Sequence, residues 1–419
     1  MDQRDGKVLD VLFKAGPLSN QELAARLGIS PSAVSNATTR LVRAGAITAV
    51  DADGFRGEAQ PGRRRKRTYR LNPAYATALV VEIDFDFMTL HLIRFDLSPV
   101  VSRRVPIAHN ERDSILDTID AELSVLVGSA ENISLCGIGF SMPGQVDFHN
   151  GIAIHNTRID NWDNVDFSRF AVFSRNIVTE NVANAVALGE YARGSAREID
   201  DFVLLHVGNG AGMGIVIGGA LHRGHNYAAG EAGHVIIEES SKTTCACGNH
   251  GCLESFVSRR AVMQELERLR QSEVPSGILS DFDLHQGDGI YAVLGSYYES
   301  GDKVAYILMQ ELAHKLGLAA ASFVQILAPA RIVLSGPVIN LGPPFLELVE
   351  QSLRRYQLPW LPPIPVVYGG DAVLAAAQGT ALLVFQRGGE ASATRRGGGV
   401  PGAGDGYPAV PPRTAASGL

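Results

Sequence analysis

Apolar positions 8, 9, 12 and 13 recur at helical spacing in KVLDVLFKAG, and Gly16 stops the run. Ser19, followed three residues later by Glu22, is a capping-box signature that opens a second helix, NQELAARLG, ending at Gly28. Ser30 is placed to cap a third helix, with Pro31 at the first helical position, where its missing N–H costs nothing. That helix, PSAVSNATTRLVRAG, turns Val34, Thr38 and Leu41 inward and ends at Gly45. A strand over AITAV, a turn at Asp53-Gly54 and a second strand over RTYRLN follow. Three short helices and a two-stranded ribbon predict a winged helix-turn-helix over residues 1–72.

From Leu79 onward the pattern becomes strand-rich α/β. LVVEIDF, TLHLIRFD, CGIGFSM, NIVTENV, FVLLHVG, GIVIGG and RIVLSG are β-branched runs separated by helical segments, among them Ser114–Val127 and a long apolar helix over Asp302–Ile326. From Gly388 the periodicity fades into Gly, Pro, Ala and Ser, which predicts a disordered tail over 388–419.

At 419 residues the chain is long enough for two or three domains, because one core rarely serves beyond about 250 residues. Hydrophobic content of 46% with 19% charged residues excludes global disorder. No run approaches the roughly 18 apolar residues of a membrane span, and the N-terminus lacks the pattern of a secretory signal, so the expected location is the cytoplasm, with no membrane partner. The net charge of −7 hides an asymmetry: residues 1–72 hold thirteen Lys and Arg against seven Asp and Glu, whereas the remainder is strongly acidic. A basic head on an acidic body implies two tasks.

In a helix-turn-helix the second helix of the motif enters the major groove. Its outward positions here are Ser32, Ala33, Ser35, Asn36, Thr39 and Arg40. Asn36 suits bidentate bonding to adenine, and Arg40 or Arg43 suits phosphate or guanine. Behind the Pro61-Gly62 turn come Arg63, Arg64, Arg65 and Lys66. An isolated run of cations reads as a solvated linker. Directly after a helix-turn-helix, it suits minor-groove or phosphate contact, which favours double-stranded DNA as a partner.

Three of the four cysteines, Cys245, Cys247 and Cys252, fall within eight residues, in a loop of turn formers. Clustered thiols suggest a metal rather than a disulfide framework, and a Cys₃His set suits tetrahedral, structural Zn²⁺ with no open position for water. His234 and His250 are the candidate nitrogens. The lone Cys136, in ISLCGIGF, reads as a small core residue.

ENVANAVALGE at 180–190, HVGNGAGMG at 206–214, GEAGH at 230–234 and CACGNHGCLE at 245–254 together resemble the ROK family of sugar kinases and sugar-responsive repressors. The likeness runs from about Leu79 to Arg387, and the winged head is similar to that of the repressor branch. It implies a two-lobed α/β body of the actin-like ATPase (ribonuclease H-like) class, with a first lobe over 73–182 completed by 371–387. The second lobe, over 183–370, carries the zinc loop. The resemblance favours His234 as the fourth ligand and carries sugar contacts onto Asn181, Glu231, His234 and Glu254, with Gly144 and Thr157 at further family contact positions. Asn156, Arg158 and Asp160 lie where they would tune specificity.

Phosphorylating a sugar takes a base on the acceptor hydroxyl and a cradle for phosphate. The family's catalytic Asp position holds Val182, and its first phosphate loop reads Asp84-Phe85-Asp86-Phe87-Met88-Thr89 without the glycines. The turn Gly208-Asn209-Gly210-Ala211-Gly212 survives and reads as a tight connection between core strands, whereas Ser335 and Pro337 break a later glycine run. The resemblance therefore implies a repressor rather than an enzyme, with no catalytic residue. Its partners would be a DNA operator, a sugar or sugar-phosphate effector, and further copies of the chain as a homodimer or homotetramer. The competing readings are an active sugar kinase with an added DNA-binding head, and a regulator whose body binds a protein.

Overall fold

The computed structural model describes residues 2–51, 67–128, 134–271, 274–281 and 289–394. The head forms α1 (Gln3–Ala15), α2 (Asn20–Leu27) and α3 (Pro31–Arg43), with β1 (Leu18–Ser19), β2 (Ile47–Asp51) and β3 (Arg67–Leu71). The capping box is present: Glu22 N–H donates to Ser19 Oγ at 3.4 Å, and Ser19 N–H donates to Glu22 Oε2 at 2.8 Å. Ser30 caps α3 through Ala33 N–H, with Pro31 in the first turn. Val8, Leu9, Leu12, Phe13, Val34, Thr38 and Leu41 are all buried. The ribbon has one strand more than the sequence suggests, because Leu18 and Ser19 pair with Tyr69 and Thr68 to give the order β1-β3-β2.

The body is built on two five-stranded sheets. The first contains β4 (Thr77–Ile83), β5 (Phe87–Arg94), β6 (Pro99–Pro106), β7 (Leu135–Met142) and β11 (Ile177–Asn181), in the order β11-β7-β4-β5-β6. α4 (Arg112–Gly128) packs on one of its faces through Ile115, Leu116, Ile119 and Leu123. A small sheet of β8 (Gln145–Asp147), β9 (Ile152–His155) and β10 (Asp163–Asp166) extends this lobe. α5 (Val182–Arg193) then leads into the second sheet. This contains β12 (Phe202–Val207), β13 (Ala211–Ile217), β14 (Ala220–Leu221), β15 (Arg331–Ser335) and β16 (Val366–Tyr368), ordered β14-β13-β12-β15-β16. A core on this sheet joins α6 (Glu254–Val257), α7 (Arg259–Arg270), α8 (Gly277–Asp281), α9 (Gly289–Glu299), α10 (Lys303–Leu327) and α11 (Pro343–Tyr356). The glycine run at 208–212 does make a tight turn between core strands, with Val207 opposite Ala211.

The last helix, α12 (Ala372–Thr394), returns to the first sheet. Thr380 and Val384 pack so closely on Gly139 that a Cβ at that glycine would collide with both. This helix corrects the sequence reading at one end: it passes through Gly388 and Gly389 to Thr394, so the first seven residues assigned to a disordered tail are helical. Residues 395–419 lie outside the described residues. Burial of Ala381, Leu382, Leu383, Val384 and Phe385 carries the helix along the sheet, and Gly388, close against Cys136 and Asn176, does not end it once that core is made.

The head shares a core with the body. Phe13 meets Phe95 edge-on at 5.2 Å and stacks on Phe385 at 6.3 Å, in one cluster with Leu188 and Ala192 of α5. Polar contacts rim this junction. Arg26 pairs with Glu198 at 2.8 Å, Gln386 donates to Asp10 at 3.1 Å, and the Lys14 ammonium sits 4.0 Å from the centre of the Tyr191 ring.

Candidate effector cleft and metal centre

Between the two sheets lies a cleft of about 1240 Å³. Gly144, Thr157, Asn181, Glu231, His234 and Glu254 all line it, although they come from separate loops of both lobes. Asn181 ends β11 and caps α5: its side-chain oxygen accepts from Ala183 N–H at 2.8 Å and Asn184 N–H at 3.4 Å, and its amide donates to the Gly144 carbonyl at 2.8 Å. Gly144 is in the left-handed region, with φ 95°, and a Cβ there would run into the His155 carbonyl. Val182 also faces the cleft. Asn156 and Arg158 line it as well, but Asp160 does not, because its backbone is paired with Asn110 and Arg112.

Glu254 begins α6 and is buried. One carboxylate oxygen accepts from Ala211 N–H at 3.0 Å, and the other pairs with Arg158. Gly210 is required nearby, since a Cβ would lie 2.9 Å from that carboxylate. Glu231 opens to the cleft. Desolvation by the walls raises its carboxyl pKa, His234 opposes the rise and Glu254 adds to it. Two links across the cleft were not anticipated from sequence. Asp84 accepts from the Asn209 amide at 3.0 and 3.1 Å, and Asp86 pairs with Arg259 at 2.8 Å. Each joins the altered phosphate loop to the second lobe, and only the fold brings these distant residues together.

His234, Cys245, Cys247 and Cys252 place one ligand atom each within 4.8 Å of the others. Cys245 Sγ lies 3.5 Å from His234 Nδ1, and Cys247 Sγ lies 3.7 Å from Cys252 Sγ. Burial and the neighbouring sulfurs push the Cys252 thiol up to about 12. Three sulfurs and an imidazole fit a divalent metal at a closed tetrahedral site. His250 stands outside this group, facing Thr244 at 3.4 Å. His234 has a second role in the geometry, because its Nε2 lies 3.8 Å from Glu231 in the cleft. The candidate metal cluster and the cleft thus share one ring.

On α3, Ser32, Ser35, Asn36 and Thr39 are exposed, and Ala33 is half-buried. Thr39 Oγ1 donates back to the Ser35 carbonyl at 2.7 Å. Arg40 is exposed on the same helix and also makes an ion pair that the sequence did not predict. Its guanidinium binds Asp5 at 2.6 Å and Asp2 at 3.2 Å, and so straps α3 to the start of α1. The helical period places Arg40 outward but does not show that α1 supplies two carboxylates there. Arg63, Arg64, Arg65 and Lys66 lie outside the described residues.

The two sheets, the helices that close them and the cleft between define an actin-like ATPase body carrying a winged helix-turn-helix head. The chain belongs to the ROK family, whose model matches residues 83–387; a model described as winged helix-turn-helix DNA-binding matches residues 1–48. A xylose repressor of Caldicellulosiruptor bescii is 25% identical over 353 residues, covering 83% of this chain and 86% of that protein. The crystal structure of a ROK family transcriptional regulator, a homologue of the Escherichia coli MLC protein, shares the fold with a TM-score of 0.73 at 21% identity, over 92% of this chain and 98% of the other. A ROK family glucokinase from Streptomyces griseus, solved with glucose and AMPPNP, gives a TM-score of 0.65 at 26% identity, over 74% of this chain and 100% of the other. The similar proteins therefore include both regulators and kinases. Among the described residues no helix is long and apolar enough to cross a membrane.

Proposed function

We propose that this chain is a sugar-responsive transcriptional repressor of carbohydrate-metabolism genes, acting in the cytoplasm on a double-stranded operator as a homodimer or homotetramer. One observation carries the reading: α5 is capped by Asn181 inside the cleft, while its far end, at Leu188 and Ala192, packs into the core that holds α1 of the head. A ligand that changes the angle between the lobes acts on the head through this helix. In a dimer, half-site spacing of about one helical turn tolerates little change in head separation, so operator is released.

Ser32, Ala33, Ser35, Asn36, Thr39 and Arg40 are the proposed groove-facing residues. Arg63, Arg64, Arg65 and Lys66 are the proposed phosphate or minor-groove contacts. Gly144, Thr157, Asn181, Glu231, His234 and Glu254 are the proposed effector contacts, their carboxylates accepting from sugar hydroxyls. His234, Cys245, Cys247 and Cys252 would hold zinc, which would supply a fixed anchor for the loop beside Glu231 and Glu254.

Absence of kinase activity belongs to this proposal. Val182 cannot take a proton, and Asp86, paired with Arg259, and Phe87 bring negative charge and bulk where a phosphate cradle needs glycine N–H donors. The test is binding of the full chain to DNA upstream of its own gene, titrated with sugars and sugar phosphates, beside a coupled assay for ADP. Specific binding changed by one sugar, with no ADP formed, is expected. Sugar-dependent ADP formation would establish the kinase reading instead. Operator binding indifferent to every sugar would move the effector role to a protein partner.

A further inference from the structure

Arg158 lies on the loop after β9, beside Thr157, with its backbone N–H fixed by Asn156 Oδ1 at 2.8 Å. Its side chain is 19% exposed and reaches across the cleft. One terminal nitrogen donates to the Asn209 carbonyl and the other to Glu254, while Phe85 lies against the guanidinium at 5.4 Å. A guanidinium has five N–H donors, so further donors remain beside a carboxylate that keeps unused lone pairs. This sets a planar donor directly next to a planar acceptor. Two adjacent hydroxyls match it, one accepting from the arginine and the other donating to the carboxylate.

The charge around the cleft narrows the ligand further. Arg158 is the only Lys or Arg lining it among the described residues, against Glu82, Asp84, Asp163, Glu231 and Glu254. A phosphate of about −2 charge would enter among carboxylates and find one cation, already paired. We infer that Arg158 is a further effector-contacting residue which, together with Glu254, reads a vicinal diol and selects a neutral sugar over a phosphorylated one. This rests on the effector-cleft reading and narrows its ligand class.

The experiment is calorimetric titration of the full chain with D-xylose, D-glucose, N-acetyl-D-glucosamine and the 6-phosphates of the two hexoses, followed by monodeoxy analogues of whichever sugar binds best. Wild type, R158Q and R158K are compared, with the thermal unfolding of each unliganded protein as a folding control. A neutral sugar should bind wild type at least about tenfold more tightly than its phosphate, and R158Q should lose about ten- to a hundredfold, as expected for a charge-assisted hydrogen bond. R158K should recover part of that loss. One deoxy analogue, lacking the hydroxyl that Arg158 reads, should bind wild type and R158Q equally. A merely structural arginine would weaken every analogue alike, and that outcome overturns the inference. Unchanged affinity in R158Q, or preference for a phosphorylated sugar, overturns it while leaving the effector cleft standing. Failure of wild type to bind any member of the panel overturns both.

Discussion

Replacing Phe13 by alanine tests whether the head and body act as one unit. Phe13 is 2% exposed, with Phe95 at 5.2 Å and Phe385 at 6.3 Å. Removing a buried phenyl ring costs about 3–5 kcal/mol, and each aromatic pair within that total is worth about 0.5–1.5 kcal/mol beyond its buried area. Chemical denaturation of F13A should show this loss, and F385A should show a similar loss from the body side. The F13A/F385A pair should be non-additive by about 1 kcal/mol, the signature of a shared contact. The functional readout is operator binding titrated with the effector. Sugar affinity should hold in F13A, because the cleft is untouched, while the change in DNA binding on adding sugar should collapse. V172A, at a position 80% exposed, supplies the baseline, with an expected effect within about 0.5 kcal/mol. A loss below about 1 kcal/mol in F13A, or a full sugar response, would refute the idea that this aromatic junction transmits the signal.

Further outcomes follow from other parts of the molecule. C247S should lower bound zinc from about one ion per chain and weaken sugar binding by loosening the loop that holds His234; unchanged metal content by elemental analysis would remove Cys247 from the ligand set. N36A should cost about 1–3 kcal/mol of binding to the preferred operator and relax discrimination at one base pair, whereas R40A should lower head stability through loss of the Asp5 strap. Binding competition and denaturation of the two variants separate these effects. His91, buried against Ser102 at 2.8 Å, has its pKa lowered from 6.5 to about 4, by burial with Asp371 opposing. Its folded form resists protonation, so its contribution is complete above pH 6.5 and lost as pH falls toward 4, a change of about 3 kcal/mol. Stability curves of wild type and H91N across that window should diverge by this amount, and parallel curves would contradict the assignment.

Local rules made much of this protein legible before any fold was known. Ser19, Glu22, Ser30 and Pro31 specify helix starts through bonds spanning three residues or fewer. The apolar spacing at 8, 9, 12 and 13 specifies a buried face in the same way. The motif at 245–254 is legible as a candidate metal cluster because three sulfurs within eight residues are already neighbours along the chain. The cleft residues were readable only through family motifs, since nothing local links Gly144 to Glu254. Arg40 shows where the helical period stops being informative: it gives the outward direction but not the presence of Asp5, 35 residues away.

By itself the sequence determined the helix-turn-helix, the alternation of strands and helices and the sulfur cluster, because each depends on residue type and short spacing. The tertiary structure gathered His234 rather than His250 with the three sulfurs, carried the last helix through Gly388, and brought Asp84 to Asn209, Asp86 to Arg259 and Arg158 to Glu254. It also seated Phe13 against Phe385. These pairs lie tens to hundreds of residues apart, and no propensity encodes them. They exist because two sheets and their crossing helices must bury one another's apolar faces, and that packing sets which polar side chains meet in the cleft.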